Sequence, residues 1–535
     1  MKKLLKQLLA VTTAIMMAIT LLPAMANAEE TVRDKGTLQI IKHGKDEKTL
    51  LGGAEFTFYK LASITNNAET GWKYAVVDHY KSALGGSTKE KNLNDLPSKT
   101  WEEKGTIDSL SVLAESDTSG IPSGLTADDG TEKGKTAKTE LPLGVYLVKE
   151  TTTPSGHVAG EPFIVSIPST NNYNYGKEGG AQDADGTGTG FVYDIVAAPK
   201  NSEVPVEKTA DDTSVAIGQT VNYTVNTTIP KYGTEYFYEK DGKKVAPKFE
   251  VYDTLSNGLT LDKKSITVKA GDKVIDPNSY TINFENIGEK TFLLSFKSTY
   301  LETMEGSQAI TITYSAKVNE NAVYENGNTA GVKYSNKPGE NGEGDPVEKK
   351  ENVYTYGIDL TKTGDKNDDD KTGLNGAEFT LSSENAKLLT VLINGTKVVV
   401  NKNTTDSEVN KKTTDSIPTA TYNKKNGKLV FHGLAEGTYT LTETKAPAGY
   451  TLLKNPITIV IEAAEDGKIA SATVDGQTIG TKKIENGVVP VNIENHSGFT
   501  LPGTGGMGTY IFTIGGLVVM AGAVLLLVSS KKKRA

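Results

Sequence analysis

Two distant stretches of this chain repeat one another, and that repeat sets its organisation. Leu38-Gln39-Ile40-Ile41-Lys42 precedes Leu51-Gly52-Gly53-Ala54-Glu55-Phe56, and Ile358-Asp359-Leu360-Thr361-Lys362 precedes Leu374-Asn375-Gly376-Ala377-Glu378-Phe379. Each copy has a second landmark downstream. The first has Gly144-Val145-Tyr146-Leu147-Val148-Lys149-Glu150, then Thr153-Pro154-Ser155-Gly156; the second has Gly437-Thr438-Tyr439-Thr440-Leu441-Thr442-Glu443, then Ala446-Pro447-Ala448-Gly449-Tyr450. The spacing from glutamate to proline and to glycine is the same in both. Such self-similarity marks repeated folding units. Residues 30–200 and 355–498 therefore read as two related domains. A different unit, about 203–340, lies between them, and a polar Gly/Glu/Lys linker from Lys337 to Asn352 follows it.

The region is rich in Thr, Val, Tyr and Gly, and Asn-Gly pairs recur at 257–258, 326–327, 375–376, 394–395, 426–427 and 486–487. Short alternating strands broken by turn residues predict all-β sandwiches. The predicted divisions are 1–28, 29–200, 201–352, 353–499 and 501–535.

The ends are not folded domains. Lys2, Lys3 and Lys6 precede an apolar run and then Ala26-Asn27-Ala28, the pattern of a secretory signal peptide cut after Ala28. At the other end, Leu501-Pro502-Gly503-Thr504-Gly505 is followed by an apolar stretch over 510–528 and by Lys531-Lys532-Lys533-Arg534. About 19 apolar residues suffice to cross a bilayer, and the basic cluster holds the tail in the cytoplasm. The chain has no cysteine, so an exported protein of several domains must be stiffened by something other than disulfides. The net charge of −8 does not suggest a nucleic-acid partner. Five scattered histidines form no ligand cluster, and no catalytic signature is present, so neither a metal, a cofactor nor an enzyme is expected. Asp365-Lys366-Asn367-Asp368-Asp369-Asp370 lacks the glycine and glutamate of a calcium loop and reads as solvated.

Side chains two apart in a strand share a face. Leu38, Ile40 and Lys42 align, as do Val204, Val206 and Lys208, and Ile358, Leu360 and Lys362. Three times a lysine continues a core-facing row, although a buried ammonium is costly. Carboxylates do the same: Tyr146, Val148 and Glu150; Phe249, Val251 and Asp253; Tyr439, Leu441 and Glu443. Asparagines close the last strands, with Val491, Ile493 and Asn495 aligned, and Ala330, Val332, Tyr334 and Asn336 aligned. Lysines at strand ends can extend to solvent, but three parallel cases favour a chemical reason. Burial lowers a lysine's pKa and raises a carboxyl's. The proton then passes to the acid, and the neutral amine attacks the asparagine side chain and expels ammonia. The product is a Lys–Asn isopeptide bond. Closing a loop of more than about 100 residues this way constrains the unfolded chain as a disulfide would, by ~4–5 kcal/mol.

Residues 439–450, reading Y-x-L-x-E-T-x-A-P-x-G-Y, resemble the E-box of sortase-assembled Gram-positive pilus backbone subunits and related Cna-B-type domains. The stretch Asp253-Thr254-Leu255-Ser256-Asn257-Gly258-Leu259 resembles their second domain. The resemblance implies three tandem immunoglobulin-like (Cna-B, reverse-Ig type) β-sandwiches, with a signal peptide and a C-terminal transmembrane sorting helix. It implies bonds between Lys362 and Asn495 assisted by Glu443, and between Lys208 and Asn336 assisted by Asp253, with Asn328 a rival on the same face. In the first domain the trio is Lys42, Asn201 and Glu150, although Thr-Pro-Ser-Gly-His departs from the E-box there.

The C-terminal set resembles a cell-wall sorting signal, in which a sortase cysteine attacks the Thr504 carbonyl and releases Gly505 onward. Pilus backbones carry an acceptor lysine in a W-x-x-x-V-x-V-Y-P-K motif; Phe191, Ile195, Pro199 and Lys200 fit it in type and spacing, while Ala197 and Ala198 do not. The implied protein is the major subunit of a pilus on the cell surface. Its implied partners are a class C pilin sortase, the housekeeping sortase, other copies of itself, accessory tip and base pilins, and peptidoglycan. A monomeric wall-anchored adhesin of similar domains is the alternative and would not need Lys200. The stretch 61–140, with Trp72 and Trp101, reads as an insertion with no assignable role.

Overall fold

The computed structural model describes residues 33–46, 48–67, 69–85, 88–170, 191–240, 242–338, 342–383, 390–399, 412–498 and residues 519, 520 and 523. The predicted signal peptide, with its Ala28 site, and Leu501–Gly505 lie outside the described residues, as does nearly all of the apolar stretch. Among the described residues no helix is long and apolar enough to cross a membrane.

Three successive hydrophobic cores organise the chain. In the first domain β1 (Lys35–Ile40) alternates outward and inward residues, which places Leu38 and Ile40 in the core. Next come β2 (Glu55–Asn67), helix α1 (Lys104–Ala114), β3 (Thr139–Pro142), β4 (Gly144–Thr152), β5 (Phe163–Ile167) and β6 (Asp194–Ala197). One sheet has β1 between β3 and a parallel β6; the other contains β2, β4 and β5. The stretch 61–140 is thereby given a place. Its start completes β2, which pairs with a strand at Gly71–Val76, and its middle supplies α1. Trp101 is fully buried, edge-on to Tyr74, while Leu110 and Ala114 turn the helix inward.

The middle domain comprises β7 (Val206–Ala210), β8 (Thr220–Ile229), β9 (Phe249–Leu255), β10 (Gln308–Val318), β11 (Glu325–Tyr334) and β12 (Val347–Tyr354). Strands β7, β8 and β10 belong to one sheet, and β9, β11 and β12 to the facing one. The predicted linker is corrected here. Its second half is β12, paired along β11 from Glu325↔Tyr354 to Val332↔Val347. It is an edge strand, and such strands carry charge on the side that meets water.

The third domain comprises β13 (Tyr356–Gly364), β14 (Glu378–Ser383), β15 (Lys425–Leu434), β16 (Gly437–Lys445), β17 (Ile457–Ala463) and β18 (Val488–Asn495). One sheet carries β15, β13 and β18 with β18 parallel to β13, and the other carries β14, β16 and β17. The Asn394-Gly395 pair makes a two-residue hairpin with both φ values positive, at 47° and 81°, as such turns require.

The domains are joined by more than chain continuity. Ser202–Glu203 pairs with His157–Val158, and Val158 enters the middle core. The Asn336 carbonyl accepts from the Ala159 N–H at 2.8 Å. At the second junction the Gly433 carbonyl accepts from the Ile217 N–H at 3.0 Å. A Cβ on Gly433 would stand 2.2 Å from the Ile217 side chain, so only glycine permits this approach.

Candidate functional site

Strand alternation carries one lysine, one acid and one asparagine into each core. In the first domain Lys42 continues the inward row of β1, Glu150 faces it from β4 in the opposite sheet, and Asn201 follows β6. Their exposures are 0%, 3% and 3%. Lys42 Nζ donates to Glu150 Oε2 at 2.9 Å, and Asn201 Nδ2 donates to Glu150 Oε1 at 2.8 Å. The Gly160 N–H donates to Glu150 Oε2 at 3.2 Å. Burial pushes the Lys42 amine below the usual lysine range, against the attraction of Glu150.

The third domain repeats this plan. Lys362 is opposite Ile493 in the parallel register, and Gly364 is opposite Asn495. In the first domain Ile40 is opposite Ala197 and His43 opposite Lys200, so Lys42 and Asn201 have the same offset. Asn495 Nδ2 donates to both oxygens of Glu443, at 2.9 and 3.1 Å, and the Leu453 N–H donates to Glu443 Oε2 at 2.8 Å. Gly160 and Leu453 stand at the same separation from their glutamates. Each lets the loop after the glutamate close back on the carboxylate. Lys362 Nζ donates instead to the carbonyls of Thr363 and Ile493, at 3.0 and 3.1 Å. Burial pushes its pKa down to about 8.

The middle domain uses another geometry. Lys208 on β7 reaches across the sandwich to Asp253 on β9, Nζ to Oδ2, at 2.6 Å. Tyr314 of β10 joins the cluster: its hydroxyl donates to Asp253 Oδ2 at 2.5 Å, accepts from Asn328 Nδ2 at 3.0 Å and contacts Lys208 Nζ. Lys208 Nζ lies 5.0 Å from the ring centroids of both Tyr223 and Tyr314. Burial lowers the pKa of Lys208 and raises that of Asp253, so each group is driven toward its neutral form.

Of the two candidate asparagines, Asn336 and its rival Asn328, Asn328 is the one that stands in the buried cluster. Both lie on one face of the same chain segment. Asp253, however, is opposite Ala330, and Leu255 is opposite Asn328, which is fully buried beside the lysine. Asn336 is six residues past Ala330, about 20 Å along an extended chain, and sits at the junction with the first domain.

The three asparagines share one further property. Asn201 Oδ1, Asn328 Oδ1 and Asn495 Oδ1 are buried without a hydrogen-bond partner. A buried carbonyl oxygen left unpaired is costly. A half-turn of the Asn201 or Asn495 amide presents that oxygen to a protonated acid, which then polarises the carbon for attack.

The chain matches three family models in succession. Residues 217–338 match the Gram-positive pilin backbone subunit 2, Cna-B-like domain. Residues 359–478 match the SpaA prealbumin-like fold domain, and residues 493–534 match the LPXTG cell wall anchor motif. The chain is similar to Gram-positive pilins. It is 25% identical over 512 residues to fimbrial subunit type 2 of Actinomyces naeslundii, covering 90% of this chain and 84% of that relative. It is 25% identical over 437 residues to fimbrial subunit type 1 of Actinomyces viscosus, covering 74% of each. The T6 backbone pilin of Streptococcus pyogenes serotype M6, a modular three-domain structure, shares the fold. Its TM-score is 0.54 at 16% identity, covering 88% of this chain and 100% of that one. The anchor motif makes this a cell-wall-anchored surface protein.

Lys200 is exposed, one residue before buried Asn201 and beside the first junction. The backbone of His43 grips both sides of it: the His43 N–H donates to the Pro199 carbonyl at 3.0 Å, and the Asn201 N–H donates to the His43 carbonyl at 3.1 Å. Two features of these sites have weak sequence signals. Tyr314 reads as an ordinary core aromatic in the inward row of Ile310 and Ile312. The Gly160 and Leu453 contacts come from backbone groups, which any residue supplies.

Proposed function

We propose that this chain is the repeating shaft subunit of a covalently polymerised pilus. A sortase cuts between Thr504 and Gly505, and the Thr504 carbonyl is joined to the Lys200 amine of another copy. The observation that carries this reading is the pairing of two ends. The sorting signal offers an acyl donor, and Lys200 offers an exposed amine on a backbone held in register by His43. A class C pilin sortase would polymerise the chain. The housekeeping sortase would attach the last copy to peptidoglycan, with accessory pilins at tip and base.

The three buried clusters support internal Lys42–Asn201, Lys208–Asn328 and Lys362–Asn495 isopeptide bonds, assisted by Glu150, Asp253 and Glu443. In each, the acid takes the ammonium proton, the amine attacks the amide carbon, and ammonia leaves. Each bond forms once, so this is self-processing without turnover.

Wall extracts boiled in detergent and blotted test the assembly. A ladder of high-mass species in the wild type that is lost in Lys200→Ala supports the shaft. A single monomer band in the wild type supports a monomeric adhesin instead.

A further inference from the structure

Lys200 is paired in strand register with His43. Lys42 and Asn201 point into the core, so His43 and Lys200, each one residue away, share the outer face of neighbouring parallel strands. Their side chains therefore start side by side on the face away from the core. His43 is 3% exposed while Lys200 is exposed, which leaves the imidazole beneath the acceptor's level. Among the described residues, the other strand-paired histidines face different partners: His157 is opposite Glu203, and His432 is opposite Gly357 and Leu392.

We propose that His43 is the base that serves Lys200 during polymerisation. The proposal rests on Lys200 being the acceptor. A neutral Lys200 amine attacks the acyl carbon of Thr504, held as a thioester on the sortase cysteine. The C–N bond forms, and the nitrogen becomes cationic. His43 accepts that proton, the C–S bond breaks, and its electron pair leaves on sulfur as thiolate. The proton then passes from His43 to solvent or to the thiolate. A neutral imidazole performs this step, whereas a protonated one places a second cation beside the amine and opposes it.

Other charged groups around His43 do not replace it. On its own loop, the Asp46 carboxylate is taken by the Lys48 N–H and by Thr49. Lys45 and Lys48 add only positive charge. Lys135, on the segment bridged to Ile41, is paired with Glu132 at 3.6 Å. Glu203 lies beyond Lys200, opposite His157. Lys42 and Glu150 lie on the core face, with each other.

The test uses the full chain and a small-molecule thioester as the acyl donor, so that no sortase group contributes. Acylation of Lys200 and of exposed Lys273 is followed by peptide mass spectrometry from pH 5 to 9. Lys200 is expected to react faster than Lys273 across this range. In His43→Gln the Lys200 rate falls toward that of Lys273, by on the order of tenfold or more. Superimposable profiles for wild type and variant overturn the proposal. Melting and intact mass check that the variant folds. If it does not, the wild type decides: a Lys200 that reacts no faster than Lys273 is equally contrary. A sortase assay on Lys200→Ala separates the two claims, because continued polymerisation there removes the acceptor assignment itself.

Discussion

Asn201 follows Lys200 directly, and the two side chains point to opposite faces, the asparagine buried against Glu150 and the lysine exposed. A bond from Lys42 to Asn201 would therefore clamp the backbone at the residue next to the polymerisation site. The third domain has the same lysine-to-asparagine register at its own end, where Asn495 closes β18 just before the sorting signal. The two proposed clamps would thus stand beside the proposed acceptor and beside the proposed donor.

Intact mass tests the internal bonds. The chain should weigh about 17 Da less for each bond, the mass of the ammonia expelled. Glu443→Gln should restore about 17 Da and leave the other two deficits in place. Its third domain should lose on the order of 4–5 kcal/mol of loop constraint, read as a lower melting transition. A mass unchanged by Glu443→Gln contradicts the role given to that glutamate.

The middle domain distinguishes two asparagines. Asn328→Ala should abolish its bond and restore about 17 Da, while Asn336→Ala should leave the mass deficit intact. The reverse pattern would return the assignment to Asn336.

Tyr314 should affect the rate at which that bond forms. Removing a hydrogen bond to a charged group costs about 1.5–3 kcal/mol, so Tyr314→Phe should slow bond formation by on the order of tenfold to a hundredfold. Time-resolved mass spectrometry after refolding measures it. Formation at the wild-type rate would make Tyr314 a packing residue only.

The first junction should respond to pH through Glu235. This residue of the middle domain is 5% exposed, with Oε2 unpartnered, near Lys104, Asp108 and Glu161 of the first domain. Burial raises its pKa to about 7. The docked form therefore holds the proton more tightly than a solvated carboxyl does. Its stabilisation is fully present below the ordinary glutamate range and is lost as pH rises through about 7. Calorimetry from pH 4 to 8 should show the junction weakening with pH, and Glu235→Gln should flatten that dependence. A wild-type profile already flat over this range would contradict it.

The burial of Lys42, Lys208 and Lys362 is legible in the sequence because strand alternation has a period of two and the apolar rows leading to them are long. The choice between Asn328 and Asn336 is not legible in the same way. Alternation makes every second residue equivalent, and the pairing of Asp253 with Ala330 that separates them is a long-range register. Strand β12 reads as a linker because its run of Glu348, Lys349 and Lys350 lies on an exposed sheet edge. Helix α1 escapes notice because it is short and buries only Leu110, Ser111 and Ala114. The departure of Thr-Pro-Ser-Gly-His from the E-box also has a structural counterpart. Where Tyr450 packs over Gly364, the first domain has His157, which is opposite Glu203 at the first junction.

The most direct test of the account is the chemical identity of the link between subunits. High-mass polymer from the cell wall, digested and sequenced by tandem mass spectrometry, should yield a branched peptide joining the Thr504 carbonyl to Lys200 Nζ. Thr504 joined to a different lysine, or found only on peptidoglycan fragments, would contradict it.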